Sequence, residues 1–254
     1  LEDKSLNELA VVDSRYYSAY WGAKENIWMN WGNKNVISFT PGNDTSASLF
    51  SSTLNWNYNT KPYAHFNQAI FTSSSANRRD FLVIEESKQW RPEILQSDFN
   101  ESLPSFNNEG SLAFISNRSG IPQIWLGEKQ QSQLSDVSDY GEFESLQWSH
   151  NGEHLLGIRN GYLASIDIKN ESLGMHYSGQ LHPNNAYWSL DDKTIYFTAK
   201  SNKLWRLFSI PSDSKDQNLT KVVDIDIYKG QPWSEYTILF TKPEQQGLWL
   251  LDLQ

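Results

Sequence analysis

A segment of this chain returns about every 43 residues, and that period constrains the fold more than any single residue does. Each copy carries an opening aromatic, a polar turn, a short apolar strand, a second polar turn, and a strand centred on Trp. One clear copy runs through Phe106–Gly110, Leu112–Ser116 and Gln123–Leu126. The next runs through Trp188–Asp192, Ile195–Ala199 and Leu204–Phe208. Apolar and polar residues alternate with period two inside the strands, as a half-buried strand requires. Gly, Asn, Asp and Ser fill the gaps, which is the chemistry of hairpin turns. Short strands repeated at roughly 40–50 residues, with no long helical stripe, predict an all-β fold, and the expected architecture is a β-propeller.

Five positions set the register: Phe71, Phe114, Gly157, Phe197 and Phe240, spaced 43, 43, 40 and 43 residues apart. The turns ahead of them open with Phe66, Phe106, Trp148, Trp188 and Trp233. A sixth, weaker copy lies upstream, where Trp31–Asn35 leads into Val36–Thr40 and Phe39 falls 32 residues before Phe71. It predicts a small first blade with strands near Ile27–Asn30, Val36–Thr40, Ala47–Phe50 and Leu54–Tyr58. The last copy has only Trp233, Thr237–Lys242 and Gly247–Leu251 before Gln254. An unpaired strand edge invites aggregation, so Glu8–Asp13 is expected to supply the fourth strand. The expectation is a six-bladed propeller forming one domain over 1–254, because no blade buries both faces alone. Its blades fall at about 25–60, 61–102, 103–144, 145–182, 183–228 and 229–254 plus strand 8–13. Five blades, or seven with chain upstream, are the alternatives.

Aromatic residues make up 14% of the chain, with 11 Trp. Blades packed face to face need large flat side chains between them. Trp28, Trp31, Trp125, Trp148, Trp188, Trp205, Trp233 and Trp249 fall on repeat positions and are assigned to that core; Trp21, Trp56 and Trp90 do not, and are candidates for exposed contacts. The net charge is −9 with a pI near 5.0, and no basic cluster exists beyond Arg78 and Arg79. That balance argues against binding nucleic acid through phosphates or lying on an anionic membrane. The absence of cysteine excludes disulfides, thiolate catalysis and Cys-ligated zinc. No apolar run is long enough to span a bilayer, and a start at Leu1 is read as a piece of a longer product.

Catalytic chemistry finds few anchors. His150 and His154 have the spacing of a helical metal pair but sit at a hairpin turn and a strand start. There is no Gly-x-Ser-x-Gly elbow and no phosphate loop. Asp213/Asp216 and Asp224/Asp226 do not fit a calcium loop and read as solvated turn acids. No catalytic residue, metal site or cofactor is expected. Asn117–Gly120 is the most conspicuous turn; Arg118 there is either a rim contact or part of ordinary hairpin chemistry, with Gly120 at positive φ.

The string Leu112–Leu126 closely resembles the repeat of TolB-like propellers. So do Trp148–Gly152 and Trp188–Asp192, where that family usually has Trp-Ser-Pro-Asp-Gly. His150 and Leu190 replace the Pro, and Asp192 replaces the Gly. Gln217–Thr220 and Gln133–Ser135 resemble the family's strand end before the next blade. The likeness is good from about Pro62 to Leu251. Within that group the chain looks most like the periplasmic sensor of membrane-tethered winged-helix regulators of the CadC/ToxR type. That resemblance implies a non-catalytic module binding a protein partner or small ligand at a propeller face. It also implies a membrane tether upstream of Leu1 and DNA binding only by a domain outside this chain. A free periplasmic TolB-like scaffold is the alternative, and a propeller accessory domain of a peptidase is a second one.

Binding candidates come from the expected loops. Tyr16, Tyr17, Tyr20 and Trp21 form an aromatic cluster in a leader outside the repeat register, and are preferred as a docking surface. Covering the bottom of the last blade is the other reading of that cluster. Trp56, Tyr58, Tyr63, Arg118 and Tyr140 complete the set.

Overall fold

The structure, a computed structural model, describes the strand backbones from residue 6 onward. It describes side chains at Phe81 and through 98–127, 143–214, 219–242 and 248–254. Among these residues, 24 strands make six four-stranded antiparallel sheets. In chain order they are β1 (Leu6–Ala10), β2 (Tyr16–Trp21), β3 (Ile27–Trp31), β4 (Asn35–Phe39), β5 (Ser46–Ser51) and β6 (Asn55–Tyr63). Then come β7 (Gln68–Ser75), β8 (Arg78–Glu85), β9 (Lys88–Trp90), β10 (Glu101–Phe106), β11 (Leu112–Ser116) and β12 (Gln123–Gly127). Next are β13 (Ser132–Gln133), β14 (Gln147–Trp148), β15 (His154–Arg159), β16 (Tyr162–Asp167), β17 (Ser172–Tyr177) and β18 (Pro183–Trp188). The last are β19 (Thr194–Ser201), β20 (Leu204–Pro211), β21 (Thr220–Val223), β22 (Lys229–Ser234), β23 (Thr237–Thr241) and β24 (Leu248–Asp252).

Five sheets are simple meanders: β2–β5, β6–β9, β10–β13, β14–β17 and β18–β21. The sixth runs β22-β23-β24-β1, so the first strand of the chain completes the last sheet. The pairing sets Leu6 opposite Leu251 and Glu8 opposite Trp249. The closing strand described is Leu6–Ala10, which meets the expected 8–13 over Glu8–Ala10 and shifts register between Glu8 and Ala10; 11–13 lie outside the described residues.

The first blade also differs from expectation. It starts at Tyr16, not near 25, and Asn55–Tyr58 of the expected fourth strand belong to β6, the first strand of the next sheet. Trp21 therefore ends its first strand as Phe106, Trp148 and Trp188 end theirs, and it lies on the repeat. Both errors have one cause. β2 shifts register between Tyr16 and Ala19, and β6 between Asn57 and Lys61. A bulge adds residues to one strand and so breaks the period-two pattern on which the register rests.

The chain divides into two compact units. The N-terminal unit is Ser14–Tyr140; the C-terminal unit is Leu1–Asp13 with Gly141–Gln254. In the N-terminal unit, Phe81 of the second sheet meets Leu112 and Phe114 of the third, with the Phe81 and Phe114 rings edge-on at 5.6 Å. In the C-terminal unit, β18 shows how one strand serves two neighbours. Successive residues point to opposite faces. Trp188 joins Leu156, Ile158, Leu163 and Tyr177 on one side, while Tyr187 joins Ile227, Ile238, Phe240 and Leu251 on the other. Phe197 stacks on Phe208 at 5.5 Å and lies 5.5 Å from Tyr177. Gly157 holds the register position without a side chain because the Phe143 ring fills that space; a Cβ there would also lie 2.6 Å from the Ser145 carbonyl oxygen.

The aromatic-Ser turns have a specific reason for their sequence. Ser149 Oγ donates to Asn151 Oδ1 at 2.7 Å and accepts from the His154 amide at 2.9 Å. One repeat later Ser189 Oγ donates to Asp191 Oδ1 at 2.7 Å and accepts from the Thr194 amide at 2.9 Å. The fifth turn position is left-handed in both, Gly152 at φ 73° and Asp192 at φ 58°. A non-Gly residue there carries strain. The Asp192 carboxylate offsets it by reaching into the preceding sheet's turn. It accepts the His150 amide at 2.9 Å and the Asn151 amide at 2.8 Å, and lies 2.9 Å from His150 Nδ1. Proline in place of His150 would have no amide to give. Two of the three departures from the resembled turn, His150 and Asp192, thus form one latch between sheets.

Candidate partner-binding site

The first strand of each sheet is an edge strand, so one row of its backbone N–H and C=O groups is free of its own sheet. In the N-terminal unit the first strands β2, β6 and β10 lie side by side. Tyr16, Tyr17, Tyr20 and Trp21 all fall on β2, and Trp56, Tyr58 and Tyr63 all fall on β6. Residues expected in a leader and in loops are therefore gathered on two neighbouring first strands. Their side chains, and Tyr140, lie outside the described residues.

Each of these strands is bulged across the middle of its partner. Tyr17 and Ser18 lie opposite Asn30, and Leu103 and Pro104 lie opposite Phe114. The largest irregularity sets Tyr58, Asn59 and Thr60 opposite Phe71 alone. Bulges re-aim side chains and end pairing, and they concentrate near functional sites. Leu103 carries the strain of this geometry at φ 52°.

Arg118 is a brace rather than an exposed rim group. Its side chain is 13% exposed and is ion-paired with fully buried Glu101 of β10. Its Nε donates to Ser116 Oγ at 3.0 Å, and its guanidinium lies 5.3 Å from the Phe114 ring and 4.9 Å from the Trp125 ring. A planar cation suits that stacked position. The surrounding turn follows hairpin chemistry: Gly120 sits at φ 99° and Asn117 Oδ1 accepts the Asn100 amide at 2.8 Å. The Arg118–Glu101 pair ties the β11–β12 turn to the first strand.

One pair in the C-terminal unit has the geometry of a nucleophile and base. Ser165 Oγ lies 2.7 Å from His176 Nε2. Both residues are more than nine-tenths buried, and the Trp188 indole packs edge-on against the imidazole at 6.4 Å. Buried to that extent, the pair reads as a hydrogen-bonded core histidine. Among the described residues no three His, Cys, Asp or Glu side chains converge on a metal position. No helix there is long and apolar enough to cross a membrane.

No family model matches the chain, and no curated protein matches it. Solved structures do. A putative TolB from Agrobacterium tumefaciens aligns with 87% of this chain and 88% of its own, at TM-score 0.69 and 8% identity. YCF48 bound to D1 peptide aligns with 96% of this chain and 80% of its own, at TM-score 0.62 and 14% identity. The β-propeller domain of Cps50 (Swd1) from Myceliophthora thermophila aligns with 94% and 84%, at TM-score 0.64 and 9% identity. At such identities the likeness establishes the fold: this is an all-β, TolB-like β-propeller chain.

Proposed function

We propose that this chain is a non-catalytic interaction module that takes a protein or peptide segment against the first strands of its N-terminal unit. The carrying observation is the gathering of seven aromatic residues on β2 and β6, strands that are both bulged and both at the edge of their sheets. In propellers the first strands border the central channel. A row of free backbone groups offers an extended segment hydrogen bonds, and aromatic side chains offer it contact area at low entropic cost. A neighbour of the same fold, YCF48, is known bound to a peptide. To test this, the tagged protein is recovered from its source cells after crosslinking. A discrete partner that is lost when Tyr17→Ala and Trp56→Ala are combined supports the reading. Retention of every partner by that folded variant refutes it.

For the cellular setting we propose the periplasmic sensor of a membrane-tethered regulator. The wording of Asn117–Leu126 and of the Trp-Ser turns supports it. A tether before Leu1 would join at β1, which is paired with β24, so a strain on the tether would act on the sixth sheet. Fractionation tests it. A product well above 29.3 kDa in the inner membrane, cleaved by protease only from the periplasmic side, is the expected result. A soluble periplasmic product near that mass would leave the free scaffold instead.

A further inference from the structure

Two neighbouring sheets of the C-terminal unit turn back at the same edge through two-residue hairpins. β15 passes to β16 through Asn160 and Gly161, at φ 50° and 75°; β19 passes to β20 through Asn202 and Lys203, at φ 51° and 69°. Two left-handed residues in a row are what a tight hairpin of this type needs, and Asn-Gly is its natural sequence. Lys203 stands where the neighbouring hairpin has Gly161. It bears left-handed strain that a glycine would remove, and folding supplies no reason for it.

The residue after each hairpin is large, apolar and exposed. Tyr162 pairs with Arg159 and is 40% exposed; Leu204 pairs with Ser201 and is 44% exposed. They hold equivalent positions on adjacent sheets. Lys203 is exposed next to Leu204, and Lys200, exposed on the other face of the hairpin, lies 5.2 Å from the Trp205 ring. The carboxylates of that edge are already engaged. Asp224 is paired with Arg206 at 2.7 Å and Lys221 at 3.3 Å, Asp226 accepts the Trp205 amide at 2.9 Å, and Glu144 accepts the Gly161 amide at 3.3 Å. The opposite edge of the same unit is acidic. Glu153, Asp167, Glu171, Asp191, Asp192, Asp213 and Glu235 lie there against Lys169 and Lys193. An acidic segment is turned away from one edge and admitted at the other.

We infer that the Tyr162–Leu204 edge is a second docking surface, for an acidic peptide segment that carries spaced aliphatic or aromatic residues. Its apolar residues cover Tyr162 and Leu204, and its carboxylates meet Lys203. The surface is separate from the first-strand site and does not depend on it.

The test is fluorescence anisotropy with short labelled peptides in which Glu alternates with Leu and Phe. Companion peptides carry Lys for Glu, or Ser for the apolar residues. The acidic apolar peptide is expected to bind, to weaken with added salt, and to lose about tenfold in affinity with Lys203→Glu and Leu204→Ser combined. Tyr162→Ser should lose about threefold. Lys203→Gly should melt higher than the parent and bind more weakly, separating strain from charge. Combined Tyr17→Ala and Trp56→Ala should leave this affinity unchanged. Absence of binding, equal binding of the Lys peptide, or indifference to changes at 162, 203 and 204 in folded variants overturns the inference. Loss on changing 17 and 56 alone also overturns it, by moving the peptide to the other site.

Discussion

The two compact units use the same four-stranded motif and differ in how their first strands meet the second. In the C-terminal unit, β18 and β22 pair straight across the register ring: Ala186 lies opposite Phe197, and Gly230 opposite Phe240. Their irregularities fall nearer the strand ends. In the N-terminal unit the irregularity sits across the ring itself, opposite Phe71 and Phe114. Side-chain bonds also join the sheets of the C-terminal unit. Asp192 holds the turn at His150, Asn185 Nδ2 donates to the Gly230 carbonyl at 3.0 Å, and Thr198 Oγ1 donates to the Tyr228 carbonyl at 3.0 Å. One repeat can therefore be tuned in two ways. Regular first strands with cross-sheet bonds brace the C-terminal unit; bulged first strands rich in aromatics are the proposed surface of the N-terminal unit.

Bulged β10 of the N-terminal unit has a brace of its own, and the largest effect is expected at Arg118. As a brace, Arg118→Met leaves Glu101 buried without its cation and should cost about 3–5 kcal/mol in a denaturant titration. Adding Glu101→Leu should recover much of that loss. If Arg118 were instead a rim contact, the single change would spare stability. Gly157→Ala comes next, because the new Cβ meets both the Phe143 ring and the Ser145 carbonyl. A loss of about 3 kcal/mol is expected, and Phe143→Ala should not rescue it since the backbone clash persists.

The latch should show a smaller, coupled effect. Asp192→Gly relieves left-handed strain but gives up bonds to two amides, for a net loss of about 1 kcal/mol. His150→Pro removes one of those amides. In a double-mutant cycle the pair should cost less than the sum, since either change breaks the same latch; strict additivity would remove the cross-sheet account. The smallest effect is at Tyr187, whose buried hydroxyl has no hydrogen-bond partner among the described residues. Burial, and then the nearby Tyr196, hold its ionisation well above the ordinary 10.0. The folded state keeps this proton when the unfolded chain releases it, so stability falls as pH rises beyond 10.0. Tyr187→Phe should change neutral-pH stability by less than about 1 kcal/mol and flatten that alkaline fall.

Much of the fold is legible in the residues because the register ring and the turns repeat with it. Phe114, Phe197 and Phe240 are buried, and Ser149 and Ser189 make the same turn bonds. The need to pair the edge of the sixth sheet pointed to the N-terminal strand, which pairs from Leu6. What could not be read is where alternation fails. Tyr16–Trp21 looked like a leader, and Asn55–Tyr63 looked like the end of a blade, because bulges scramble period two in both. The aromatic content of those segments was visible; that they share neighbouring first strands depends on pairing across distance. The latch joins residues a full repeat apart, and its only sign in the sequence was that His150 and Asp192 depart together from the family turn.

If the first strands of the N-terminal unit are the binding surface, a bound partner lies within reach of residues on β2 and β6. A photo-crosslinking amino acid placed singly at Tyr17, Tyr58 and Tyr236 in the source cells tests it most directly. Tyr236 serves as the exposed reference on a turn of the C-terminal unit. A protein adduct of one size is expected at positions 17 and 58, and none of that size at 236. An adduct at 236 with none at 17 and 58 would contradict it and move the binding surface to the turns of the other unit.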